Sequence, residues 1–101
     1  MESKMQMYRV KRITMSEIIM EIEAMVMNEG HKDYSYWKIG NTDRPTPRKK
    51  QFANQGENTK FWKQWYTVNK DDSLEICKHF IEKGMKSELT KETGANYVYV
   101  F

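Results

Sequence analysis

Five cations fall within one short stretch, at Lys38, Arg44, Arg48, Lys49 and Lys50. Lysine supplies a point charge and arginine a planar fork, the two ways side chains hold a phosphate. The surrounding residues predict how the stretch folds. Tyr34, Tyr36 and Trp37 favour a strand, Gly40 breaks it, and Pro45 and Pro47 turn the chain. Thr46 and Pro47 suit the N-cap and first turn of a short basic helix. A helix start draws anions to its free N–H groups, so the expectation is a phosphate-sized site at a strand-to-helix junction.

The wider charge pattern agrees with that placement. From residue 32 to residue 63 there are eight basic and three acidic residues, against nine and eleven in the remainder. A positive middle on a near-neutral body fits a polyanion-facing surface, or equally a solvated lysine-rich loop. The chain has 101 residues, a single domain's length, and three Trp, six Tyr and four Phe argue for a packed core. Nothing approaches the roughly 18 apolar residues of a membrane helix. One cysteine, Cys77, allows no internal disulfide, which suggests a cytoplasmic setting.

Around the junction the elements read in order. Residues 5–13 suggest an edge strand. Thr14 and Glu17 have capping-box spacing, and Met15, Ile18, Ile19, Ile22, Met25 and Val26 give the following helix one apolar face, with Gly30 as its stop. Residues 61–68 form an aromatic strand, either central or covered on both faces, with Trp62 and Trp65 packing on helices or stacking on a base. Asp72 or Ser73 opens a second helix with inner residues Leu74, Cys77, Phe80 and Ile81, ended by Gly84. Residues 96–101 close the chain as a strand. The fold predicted is α+β: a small mixed or antiparallel sheet of three to four strands, flanked by two main helices and one short basic helix.

Several chemistries are excluded. One Cys and two His cannot build a structural zinc site, and no P-loop or dinucleotide-binding glycine pattern occurs. Cys77 reads as buried and inert.

What remains resembles the GIY-YIG nuclease domain and its compact phage and bacterial relatives. The resemblance rests on Tyr36-Trp37-Lys38-Ile39-Gly40-Asn41-Thr42 followed by Asp43-Arg44-Pro45-Thr46-Pro47-Arg48, with Arg48 eight residues after Gly40. It extends through the later strand and helix to the terminal Tyr97-Val98-Tyr99-Val100. It implies phosphodiester hydrolysis with one Mg²⁺ or Mn²⁺, held by a glutamate, with a tyrosine activating water and Arg48 stabilising the phosphate. Lys38 replaces the tyrosine of the second tripeptide and would instead hold phosphate, as would Arg44, Lys49 and Lys50. Tyr36 or Tyr97 is left as the catalytic tyrosine, the latter through a rearranged sheet. The metal glutamate's expected position falls near Cys77, leaving Glu75 or Glu82 as substitutes.

The function implied is therefore DNA or RNA binding, with metal-dependent cleavage if the catalytic set closes. The alternative is a non-enzymatic accessory protein that binds a protein partner through aromatics such as Trp37 or Trp62. A third reading is a small phosphorylated ligand at residues 46–48. The distinguishing observation is whether any of Glu75, Glu82 or Glu88 lies beside Arg48 and a tyrosine hydroxyl.

Overall fold

The computed structural model describes residues 13–29, 33–89 and 95–101. Residues 5–12 of the strand expected at 5–13, and the stop expected at Gly30, lie outside these. Helix α1 (Met15–Asn28) starts at the foreseen capping box: the Glu17 amide donates to Thr14 Oγ1 at 3.1 Å and the Thr14 amide to Glu17 Oε1 at 3.1 Å. Ile18, Ile22, Met25 and Val26 are buried, whereas Met15, Met20 and Met27 are exposed.

Residues Tyr34–Tyr36 form a single 3-10 turn rather than a strand. The Asp33 carboxylate accepts from the Ser35 amide at 2.9 Å, and such local bonding competes with a sheet ladder. Strand β1 (Lys38–Thr42) then runs straight through Gly40, which does not break it. Helix α2 (Pro45–Asn54), strand β2 (Lys63–Tyr66), helix α3 (Lys70–Glu82), the two-residue strand β3 (Lys86–Ser87) and strand β4 (Tyr97–Val100) follow.

The sheet is mixed, in the order β2-β4-β1-β3. β4 lies antiparallel between β1 and β2, and β3 runs parallel to β1. The terminal strand is thus central, and β2 lies at an edge. β2 is neither central nor covered on both faces: of its residues only Trp65 is buried, and Lys63, Gln64 and Tyr66 are exposed. Trp65 is buried in the core, its indole N–H donating to Glu21 of α1 at 3.1 Å, while Trp62 packs on the opposite face.

Strand alternation sorts the side chains into two cores. Ile39, Trp65, Val98 and Val100 meet α1 and α3. Tyr99, Phe101 and Trp62 meet Phe52 of α2. α3 begins at Lys70, one turn before the expected cap, because the Asn69 side chain accepts from the Asp72 amide at 2.8 Å. Its buried residues are Ser73, Ile76, Cys77 and Phe80, so the inner face is rotated away from Leu74. Buried hydroxyls tie the start of β4 to this layer: Ser73 Oγ lies 2.7 Å from the Ala95 carbonyl, and Thr67 Oγ1 2.6 Å from the Asn96 carbonyl. No helix among the described residues is long and apolar enough to cross a membrane.

Cys77 is buried, and burial pushes its thiol up to about 12 from 9.0. Unfolded Cys77 therefore ionises near pH 9 while the folded thiol keeps its proton. Its effect on stability is nil below pH 9, and from there stability falls as pH rises, by about 1.4 kcal/mol per pH unit. Chemical denaturation at pH 8, 9, 10 and 11 should show this decline, and Cys77→Ala should flatten it.

Candidate nucleic-acid interface

The register of β1 on β4 sets Gly40 opposite Tyr99. A Cβ at Gly40 would clash with the Tyr99 hydroxyl, and would lie 2.6 Å from Tyr99 Cζ and 2.9 Å from the Glu88 carbonyl oxygen. Glycine is needed here for space: it lets the tyrosine ring lie across β1. The other side of that ring is covered by Trp62, stacked at 4.6 Å with 7° between planes. The Trp62 indole N–H donates to Gln64 at 2.9 Å, which fixes the stack.

Arg48 reaches this point from α2. Its Nε donates to the Tyr99 hydroxyl at 3.4 Å across 51 residues of sequence, and Nη1 donates to Gln51 at 3.1 Å. Its guanidinium carbon lies 5.1 Å from the Phe52 ring centre, a cation–π position. Among the described residues Nη2 has no partner, so the fork keeps donors for an anion. The Tyr99 hydroxyl donates at 3.4 Å to the Glu88 backbone carbonyl. Burial raises the Tyr99 pKa above its ordinary 10.0; the Arg48 hydrogen bond and charge pull it down, and the Glu88 charge pushes it up. Gly40, Arg48, Glu88 and Tyr99 thus form one centre, with the phenol neutral at physiological pH.

Of the residues expected to act in catalysis or to hold phosphate, only Arg48 belongs to that centre, and of the three glutamates weighed only Glu88 is next to it. Tyr97 lies two residues along the same strand and meets Tyr66 edge-to-face at 5.2 Å. Tyr36 is exposed on the 3-10 turn. Lys38 is ion-paired with Glu57 and lies 5.7 Å above the Phe101 ring, so its charge is already engaged. Glu75 and Glu82 are exposed on α3, the helix packed on the opposite side of the sheet. Glu88, just after β3, is the glutamate adjacent to Tyr99. Among the described residues no three His, Cys, Asp or Glu side chains group to hold an ion.

The helix start differs from expectation. Arg44 is the N-cap, and Pro45 and Pro47 occupy the first and third helical positions. Thr42 Oγ1 accepts from the Arg44 amide at 3.0 Å, which shapes the turn that Thr46 was expected to cap. Two prolines remove two of the N–H groups that make a helix start attractive to anions. The positive charge therefore comes from side chains. Arg44, Lys49 and Lys50 are exposed and have no ion pair among the described residues, and α2 carries no acidic residue.

Of the aromatics suggested as protein anchors, Trp37 is 2% exposed, and Trp62 is half-buried against the second core. Tyr99 was the residue that sequence reasoning did not single out. Its signal was the Tyr-x-Tyr alternation of the last strand, which puts both tyrosines on one face but does not choose between them. No family model, curated protein or solved structure matches this chain.

Proposed function

We propose that this chain is a nucleic-acid-binding domain of GIY-YIG-like architecture, in which Arg48 and Tyr99 engage one phosphodiester. The observation that carries this reading is the Arg48–Tyr99 contact, set above a glycine that cannot be enlarged and bordered by a helix with three exposed cations. Arg48 offers charged donors to a non-bridging oxygen, and the neutral phenol of Tyr99 adds another by turning its one O–H from the Glu88 carbonyl to the phosphate. Because Tyr99 is fully covered, the guanidinium must move outward to admit the phosphate.

Helix geometry ranks the remaining cations. Arg44 is four residues before Arg48 and shares its side of α2, and Lys49 flanks it. Lys50 lies two residues from both Arg48 and Phe52, which face the sheet, and so points away from them. In fluorescence anisotropy with a short single-stranded oligonucleotide, Arg44→Ala and Lys49→Ala should each weaken binding and reduce the salt slope by about one. Lys50→Ala should change both least. Equal effects from all three would refute this orientation.

Glu88, whose charge acts on the Tyr99 phenol, favours a second, hydrolytic reading of the same centre. A lone carboxylate fits an ion that keeps most of its water, as Mg²⁺ does. Glu88 would hold that ion, which supplies charge neutralisation and an acidified water. Arg48 would hold the phosphate, and Tyr99 would accept a proton only as its phenolate. Its raised pKa then makes the rate climb with pH, close to tenfold per unit below the phenol's pKa. Cleavage of a labelled oligonucleotide from pH 6 to 9 with Mg²⁺ or Mn²⁺ tests this. Tyr99→Phe and Glu88→Gln should each abolish it while binding persists.

A further inference from the structure

A cleft of about 190 Å³ opens beside the proposed phosphate centre, lined by Tyr36, Lys38, Glu57, Asn58, Phe61 and Phe101 among others. Phe101 is shared between the two, its ring lying 6.0 Å from that of Tyr99. Lys38 and Gly40 point to the same face of β1 two residues apart, so the cleft lies about 7 Å along the strand from the Tyr99 centre. That is within the reach of one nucleotide from its own phosphate. The volume is below the roughly 300 Å³ at which sites for drug-sized ligands begin, and suits a single planar ring.

The lining has the composition that a base requires. Tyr36 and Phe61 offer aromatic faces, with Tyr36 exposed at the mouth. Lys38 and Glu57 stand side by side as donor and acceptor, and their mutual bond leaves further donor and acceptor capacity on each. A base's hydrogen-bonding edge likewise carries both kinds of group. Resting on the phosphate-binding reading above, we infer that this cleft takes one unpaired nucleobase, stacked on Tyr36 or Phe61 and held at its edge by Lys38 and Glu57. The ligand class is thereby narrowed to single-stranded or locally unpaired nucleic acid.

The test compares a short single-stranded oligonucleotide, the same-length abasic strand and the matching duplex, by anisotropy on the full chain. The intact single strand should bind roughly 5- to 100-fold more tightly than the abasic strand. Tyr36→Ala, checked for unchanged thermal unfolding, should shrink that gap and leave abasic binding little altered; Glu57→Gln, checked likewise, should shrink it while tightening abasic binding, because it removes an acidic charge and releases Lys38. Equal affinity for intact and abasic strands would overturn the cleft assignment while leaving phosphate binding intact. A gap that neither substitution reduces, or preference for the duplex, would also overturn it. Failure of every strand to bind would overturn both readings.

Discussion

Gly40→Ala should destabilise the protein by about 1–3 kcal/mol, the usual cost of overpacking a filled interior, and lower Tm by about 5–20 °C. The added methyl meets the Tyr99 hydroxyl and Cζ and the Glu88 carbonyl, so no single flexible side chain can give way to relieve it. The ring itself is held from the other side by Trp62. Because β1 is regular through Gly40 and the residue has no positive φ, the loss is purely steric. A double-mutant cycle isolates it. In a Tyr99→Leu background the hydroxyl and Cζ are gone, and Gly40→Ala should cost markedly less than in the parent chain. Additive losses in thermal or urea unfolding would show that the Gly40–Tyr99 contact is not the cause.

Arg48→Ala should weaken oligonucleotide binding by about tenfold or more, the scale of one charge-assisted contact, while Arg48→Lys recovers only part of it. Lysine restores the charge but not a fork able to touch Tyr99 and phosphate together. The same substitution removes the hydrogen bond and charge that hold the Tyr99 pKa down, leaving burial and Glu88 to raise it further. Titration of ¹³Cζ-labelled tyrosine, with Tyr99 assigned through Tyr99→Phe, should show that rise. Folding stability should also fall, by about 1 kcal/mol, because two of the partners that Arg48 gives up, the Tyr99 hydroxyl and the Phe52 ring, are buried.

Much of the fold was legible because its signals are local. The Thr14–Glu17 box needs four residues, and the α1 stripe of Ile18, Ile22, Met25 and Val26 needs only helical spacing. Gly40 and Arg48, eight residues apart in sequence, both meet Tyr99. What was hidden depends on pairing. Tyr97 and Tyr99 alternate onto one face of the same strand, and only the β1–β4 register sets Tyr99 over Gly40. Lys38 looked like a free cation because its partner, Glu57, is 19 residues away. The 3-10 turn at Tyr34–Tyr36 overrode aromatic strand propensity through one Asp33 side-chain bond. Glu88 follows a two-residue strand too short to leave a periodic signal, yet that strand sets it beside the site.

The claim that a phosphodiester sits on Arg48 and Tyr99 is tested most directly by watching those two side chains as nucleic acid is added. In an NMR titration with a short single-stranded oligonucleotide, the Arg48 Nε–H and Tyr99 ¹³Cζ resonances should move together and saturate at the affinity measured by anisotropy. Addition of salt should return both to their free positions. An oligonucleotide that binds while these two resonances stay fixed would contradict the assignment.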